Sequence, residues 1–361
     1  MRKIRVLVVD DAVVVRKIVT DTLAGDPDIE VAATAANGKI ALQKIPLIKP
    51  DILTLDIEMP EMDGLQTLAA ARKLYPHLPI IMFSTLTERG GSKTLEALAL
   101  GATDYVTKPA NVGSVSVAMQ RIRDELIPKI KIFCSKVAGI QTSEKLVPKP
   151  SSKPVARTPK PIVKTILNQK FDILCIGVST GGPNALAELF PELPGDLPVP
   201  IVMVQHMPPY FTKLLAERLT AKSPLNIFEG KTGEKLVPGQ AWIAPGDYHM
   251  VLEKKVDGVY LKTNQEAQEN SCRPAVDPLF RSTVSIYGPR TLSVILTGMG
   301  QDGLNGCQLV KEAGGHVIVQ DENTSVVWGM PGFVARAGLA DDILPLNQIA
   351  QKIIAKLKVG R

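Results

Sequence analysis

A chain of 361 residues is long enough for two domains with substantial cores, and its 45% hydrophobic and 22% charged content is that of a soluble globular protein. No apolar run reaches the ~18 residues of a membrane span, so a membrane-spanning chain is not expected. The net charge of +6 is not spread evenly along the chain. The opening stretch, Met1 to Asp11, starts basic and turns apolar as a secretion signal does. Its apolar run is too short and stops on two aspartates, so it reads as a first strand of a cytoplasmic protein. Cys134, Cys175, Cys272 and Cys307 show no C-x-x-C pairing, so reduced thiols are expected rather than a zinc site or a disulfide framework.

In chain order, Ile4 to Val9 is a strand run closed by Asp10-Asp11, and a helix with apolar residues at Val14, Val15, Ile18, Val19 and Leu23 follows. Strand and helix patterns then alternate at Val31–Ala36, Lys39–Ile45, Asp51–Leu55, Leu65–Leu74, Ile80–Phe83, Ser92–Leu100, Tyr105–Thr107 and Val115–Leu126. That alternation predicts a parallel sheet with helices on both faces, and ligands at the carboxyl ends of its strands. Acidic residues collect at those ends: Asp10 and Asp11 after the first strand, Asp56 after the third. Three carboxylates brought together repel unless a cation joins them, and an all-oxygen set on a rigid edge suits Mg2+. Ser84 and Lys108 end the fourth and fifth strands. A carboxylate nucleophile, a metal, a lysine and a hydroxyl together form a phosphoryl-accepting site, with Asp56 as the attacking group.

The stretches VLVVDD, DILTLDIEMPEMDG, FST and GATDYVTKP resemble a two-component response-regulator receiver domain over about the first 125 residues. The resemblance implies a flavodoxin-like fold, with Asp56 as phosphoacceptor. It implies Asp10 and Asp11 as Mg2+ ligands, with the Glu58 backbone as a carbonyl ligand. It also implies that Ser84, Tyr105 and Lys108 form the switch, and that a histidine kinase is the donor.

From Lys136 to Lys170 the composition changes: Lys145, Lys149, Lys153, Arg157, Lys160 and Lys164 are interleaved with Pro148, Pro150, Pro154, Pro159 and Pro161. Prolines remove backbone donors and the lysines repel each other, so residues 128–169 read as an extended linker between domains at 1–127 and 170–361. The stretch from Lys136 to Lys170 has no aromatic residue to stack on bases, which argues against nucleic acid.

The second domain opens with Phe171 to Leu186, FDILCIGVSTGGPNAL, a strand, a glycine turn and a helix. Neither a G-x-G-x-x-G nor a G-x-x-x-x-G-K-[ST] is present there, which argues against a nucleotide phosphate cradle. Gly177 to Gly181 formally reads G-x-S-x-G, so Ser179 is a candidate nucleophile, provided a base and an acid share its sheet edge. Further strands are predicted at Pro200–Val204, Ala241–Ala244, Met250–Leu252, Val259–Lys262, Thr291–Leu296 and His316–Gln320, and helices at Tyr210–Leu219, Pro274–Ser285, Gly303–Glu312 and Leu346–Lys358. The domain is therefore a doubly wound, mostly parallel α/β unit.

Of His77, His206, His249 and His316, only His206 ends a buried-looking strand on the edge that carries Ser179. Asp302, between glycines after the Leu292–Leu296 run, is the candidate acid, and Asp277 the second choice with helix capping as its plainer role. His206 would take the Ser179 proton while Asp302 fixes the imidazole tautomer. Backbone N–H groups around Met299 and Thr180 are the oxyanion candidates. The chain order serine, histidine, aspartate differs from the serine, acid, histidine of an α/β-hydrolase.

GVSTGGPNAL, VMVQHM, IAPGDYHM, SCRPAVD and LTGMGQDG together resemble the catalytic domain of the chemotaxis protein-glutamate methylesterase (CheB) family. The resemblance implies hydrolysis of glutamate methyl esters on methyl-accepting chemoreceptors, with methanol released, and in some members deamidation of receptor glutamines. It assigns catalysis to Ser179, His206 and Asp302 with no esterase cofactor, and implies that the receiver packs over the esterase site until Asp56 is phosphorylated. Membrane association would be peripheral, through the receptors only. Two other classes stay open: a nucleotide-binding regulator in which Ser179 is only a ligand, and an adaptor with an inactive site.

Overall fold

The computed structural model describes residues 2–108, 119–120, 122–135 and 169–358. Most of the expected linker, and part of the helix expected over Val115–Leu126, lie outside the described residues.

The first unit runs β1 (Ile4–Val9), α1 (Val13–Ala24), β2 (Ile29–Ala35), α2 (Gly38–Ile48), β3 (Ile52–Asp56), α3 (Gly64–Leu74), β4 (Ile80–Ser84), α4 (Glu88–Ala99) and β5 (Asp104–Thr107). Its sheet has the order β2-β1-β3-β4-β5 with every pairing parallel. β3 and β4 are buried along their whole length, which is why they read as unbroken apolar runs rather than alternating ones. Helix starts carry their own signals: Asp63 and Gln66 form a capping box on α3, and Thr87 caps α4. After a π-helical turn at Ile122–Leu126, α5 (Ile127–Phe133) continues past residue 127. Ile130 and Cys134 pack into the core formed by Ile4, Val6, Val8 and Leu23.

The second unit runs β6 (Ile173–Val178), α6 (Gly182–Leu189), β7 (Ile201–Gln205), α7 (Phe211–Thr220), β8 (Asn226–Glu229), β9 (Gln240–Ile243), β10 (His249–Lys255), β11 (Gly258–Asn264), α8 (Val276–Tyr287), β12 (Thr291–Ile295), α9 (Leu304–Glu312), β13 (His316–Gln320), α10 (Met330–Arg336), β14 (Asp342–Leu344) and α11 (Leu346–Lys358). Seven strands in the order β14-β13-β12-β6-β7-β9-β8 pair in parallel, and β10 and β11 form a separate antiparallel hairpin. The sequence reading lacks β8, β14 and α10. The first two are short edge strands with polar or exposed positions, and the third begins Met330-Pro331-Gly332, a pattern that reads as a turn. No helix among the described residues is long and apolar enough to cross a membrane.

β6 lies at the centre of this sheet, with β7 on one side and β12 on the other. The chain goes from β6 to β7 in one direction and returns on the far side with β12. A crevice opens where the strand order reverses, outside the carboxyl ends, and a ligand belongs there.

The two units share one apolar core. Leu95, Leu98 and Tyr105 of the first belong to the same buried cluster as Leu186, Phe211 and Leu215 of the second. The first unit presents α4 and β5, and the second presents α6 and α7. Asn184 Nδ2 donates to Leu98 O at 2.9 Å, and the Arg218 guanidinium donates to Leu95 O.

Candidate functional sites

In the first unit, the carboxylate oxygens of Asp10, Asp11 and Asp56 lie within 4.8 Å of one another. Asp10 and Asp56 are buried and Asp11 is exposed. Lys108 Nζ sits 2.9 Å from Asp10 Oδ2 and 2.7 Å from Asp56 Oδ2. Burial pushes the Asp56 carboxyl up to about 6, against the Lys108 ammonium and with the Asp10 charge. One ammonium against three carboxylates leaves excess negative charge on a rigid all-oxygen edge, and those donors fit Mg2+. The Ser84 hydroxyl is turned to α4: it donates to Gly90 O at 3.1 Å and accepts from the Thr94 hydroxyl at 2.6 Å. The Glu58 N–H reaches Asp56 Oδ1 at 3.3 Å, while its carboxylate holds Lys93 and Arg89 of α4.

In the second unit, β6 and β7 are paired through Val178 and Gln205, so Ser179 and His206 each occupy the first position beyond neighbouring strands. The His206 N–H donates to Val178 O at 3.2 Å, and the Gln205 amide donates to Ser179 O at 3.0 Å, which fixes both strand ends together. The turn after Ser179 needs glycine: Gly181 has φ +78, where a side chain is strained. From the third strand end, a Cβ on Gly298 would come within 2.8 Å of Ser179 Cβ, so only glycine admits the serine at that distance.

His206 Nε2 lies 2.8 Å from Asp302 Oδ2. A carboxylate can only accept, so Nε2 carries a ring proton, and in the neutral ring the lone pair is on Nδ1. Nδ1 faces the Cys272 sulfur at 3.8 Å, where a negative charge on that sulfur favours the protonated ring. Asp302 is buried and accepts from five donors: His206 on Oδ2 with the Val276 N–H at 2.6 Å, and the Asn270 amide, the Asp277 N–H and the Gly303 N–H on Oδ1. Two of these donors open α8, where unpaired N–H groups and the helix dipole favour an anion. Burial raises the Asp302 carboxyl, but the His206 bond and the backbone donors outweigh it and hold it below the usual range. Burial alone would lower the imidazole, yet Cys272 and then Asp302 outweigh it and hold His206 above the ordinary histidine value.

The structure therefore brings Ser179, His206 and Asp302 to one rim of the sheet. Among the described residues the Ser179 hydroxyl makes no hydrogen bond, to His206 or to any other group. Nor does a described group accept from the N–H of Met299 or Thr180, the oxyanion candidates. The other histidines are elsewhere. His249 is buried with both ring nitrogens engaged, by Ala267 O and the Ala275 N–H. His316 opens β13 at the opposite end of the sheet and pairs with Asp342, and His77 is exposed in the first unit. Asp277 accepts from Gly306, Asn305 and Asn270 and does not bond His206. Sequence reading did not single out Asn270, Cys272 or Gln205. The available signal was the Asn270-Ser271 pair, at the junction of a polar stretch with SCRPAVD, the composition of a tight turn.

The family described as CheB methylesterase matches residues 174–353, and the response regulator receiver domain matches residues 6–120. A protein-glutamate methylesterase/protein-glutamine glutaminase of Trichodesmium erythraeum is 50% identical over 99% of this chain and 100% of its own length. One of the same description from a Nocardioides species is 49% identical over 99% of this chain and 96% of its own. The crystal structure of the Thermotoga maritima CheB methylesterase catalytic domain is 46% identical, with a TM-score of 0.51, and covers 52% of this chain and 98% of that one. With a receiver fold ahead of a parallel esterase sheet, and relatives of this identity along its whole length, the chain belongs to the CheB methylesterase family.

Proposed function

We propose that the protein hydrolyses glutamate methyl esters on chemoreceptors with Ser179, His206 and Asp302, under control of phosphorylation at Asp56. The observation that carries this reading is the His206–Asp302 bond of 2.8 Å beside a serine on the adjoining strand end. His206 takes the Ser179 proton as Oγ attacks the ester carbonyl, and the imidazolium is held by Asp302. The N–H groups of Met299 and Thr180 hold the oxyanion. When the tetrahedral intermediate collapses, methoxide leaves with the proton from His206 as methanol. Water, deprotonated by His206, then attacks the acyl-enzyme, so that ester and water become acid and methanol. A glutamine side chain follows the same path with ammonia as leaving group. Because Nε2 is committed to Asp302, Nδ1 is the nitrogen that exchanges protons with Ser179.

The receiver takes a phosphoryl group from a chemotaxis histidine kinase onto Asp56, with Mg2+ held by Asp10, Asp11 and Asp56. When bound, the metal supplies charge neutralisation for the phosphoryl oxygens, and Lys108 supplies the same from the chain. Phosphorylation draws Ser84 away from Gly90 and Thr94, and so loosens α4. α4 and β5 pack on α6 and α7, the helices that follow the serine and histidine strands. Docking there restrains the esterase, and undocking releases it. In this reading the receiver is residues 1–127, the connector is 128–169, whose first residues belong to α5 and pack on the receiver core, and 170–361 is the esterase. The protein works in the cytoplasm and meets the membrane only through receptors.

The test is methanol release from methylated receptor membranes, with and without acetyl phosphate. Ser179→Ala is expected to abolish release, and acetyl phosphate to raise it in the parent chain. Full release by Ser179→Ala would refute the serine mechanism.

A further inference from the structure

Glu269 to Cys272 form a two-residue hairpin turn that enters the esterase site from outside the main sheet. The Glu269 N–H donates to Cys272 O at 3.2 Å and the Cys272 N–H to Glu269 O at 2.9 Å, while Asn270 and Ser271 have φ of +52 and +61. Positive φ at both central positions is the turn type that favours asparagine. The turn is anchored on all sides. Glu269 forms a two-point ion pair with Arg281 on α8. Arg273 donates to Asp247, Gln265 O and Glu266 O. His249 holds both arms, through Ala267 O and the Ala275 N–H.

From this anchored turn the Asn270 amide reaches two carboxylates. Nδ2 is 3.0 Å from Asp302 Oδ1 and 3.1 Å from Asp277 Oδ2. Both neighbours are acceptors, so each amide hydrogen serves one of them and the orientation of the side chain is fixed. Asp302 and Asp277 are buried close together, and burial and then the Asp302 charge raise the Asp277 carboxyl. A neutral donor between them relieves their repulsion without adding a charge to compete with His206.

We propose that Asn270 is a positioning residue of the esterase: its amide ties Asp302 to Asp277 and so aims Asp302 Oδ2 at His206. This rests on the assignment of Ser179, His206 and Asp302 as the catalytic set. Asn270 acts through Asp302 and touches neither substrate nor the reacting atoms.

Asn270→Gly in the full chain keeps a residue that adopts positive φ and removes only the amide. It is expected to lower kcat for methanol release about tenfold to a hundredfold, with KM unchanged, as the loss of a hydrogen bond to a charged group implies. Asn270→Asp fills the same space and adds a third carboxylate beside Asp302 and Asp277. It is expected to lower kcat and to move the acid limb of kcat/KM to higher pH, because added negative charge favours the charged ring. A role confined to folding would change the folded fraction and leave that limb in place. Both variants keeping kcat within about twofold and the same acid limb would overturn the proposal, as would a loss confined to KM. If Asn270→Gly fails to unfold cooperatively, Asn270→Asp decides by the pH criterion alone. Ser179→Ala and Asp302→Asn run alongside: active versions of these two refute the catalytic assignment itself, whereas inactive ones beside an unaffected Asn270→Gly refute only the role of Asn270.

Discussion

Tyr105 of the receiver stacks on Phe211 of the esterase, with ring centroids 5.4 Å apart and planes 18° from parallel. Tyr105 belongs to the expected phosphorylation switch, and Phe211 begins the helix five residues after His206. One aromatic contact therefore joins β5 of the receiver to the helix that follows β7, and burial of both rings makes it part of a shared core rather than a surface touch.

The seam around that contact can be forced apart from the receiver side. A Cβ on Gly91 of α4 would come within 2.8 Å of Leu214 Cδ1 and 3.2 Å of the Phe211 ring. Gly91→Leu improves helix propensity within α4 but overfills the seam, by about 1–3 kcal/mol. That shifts a docked population about fivefold to a hundredfold toward the open form. Methanol release without phosphodonor is expected to rise toward the stimulated rate, and acetyl phosphate to add little. An unchanged basal rate with normal stimulation would mean that docking does not restrain the esterase.

The acidic pocket gives a pH-dependent response to Mg2+. The Asp56 carboxyl has its pKa raised from 3.8 to about 6, so the fold favours its protonated form. The stability from that preference is fully present below 3.8 and is lost as the pH rises through about 6. Mg2+ needs the ionised carboxylates, so the rise in Tm on adding it is expected to be larger near about pH 8 than near about pH 5. Asp56→Asn removes both the pH-dependent part of that gain and the response to acetyl phosphate. A gain equal at the two pH values would contradict the pocket's assignment.

The residues that end strands were legible because position and chemistry coincide. Asp10, Asp56, Ser179 and His206 each follow an apolar run closely, and a parallel sheet puts all such ends on one edge. Asp302 was readable for the same reason, one loop beyond β12. Asn270 and Cys272 were not, because the turn that carries them pairs only with itself. Its approach to the site depends on Arg281, on His249 and on Asp247, which holds Arg273, all outside the turn and placed by tertiary packing. The edge strands β8 and β14 lacked a pattern because their exposed positions have no burial requirement to impose one.

His249 and His206 should separate stability from catalysis. His249 is buried and bonded at both nitrogens, so His249→Ala leaves Ala267 O and the Ala275 N–H without their partner. The expected cost is about 1–3 kcal/mol of stability per unpaired group, read as a lowered Tm, with kcat reduced far less than in His206→Ala. His206→Ala is expected to lose about ten-thousandfold in kcat, in line with loss of a catalytic base. If His249→Ala proved the more damaging to kcat at temperatures where it is folded, the base would have to be reassigned.

The last prediction concerns the basicity of His206. To accept the Ser179 proton the ring must be neutral at Nδ1, so kcat/KM should fall as the pH drops through the pKa of His206 in the free enzyme. Burial alone would put that pKa low. The sulfur 3.8 Å from Nδ1 and the carboxylate 2.8 Å from Nε2 act the other way, and the balance lies above the ordinary histidine value of 6.5. The acid limb of the esterase is therefore expected above that value, well to the alkaline side of a solvent-exposed histidine. Cys272→Ala removes the sulfur and leaves Asp302, so its acid limb should move to lower pH while the triad remains. Because a less basic ring is a weaker proton acceptor, the plateau above the limb should also drop modestly. A limb that stays in place in Cys272→Ala would assign the elevation to Asp302 alone, and a limb that moves to higher pH would contradict the electrostatics described for the site.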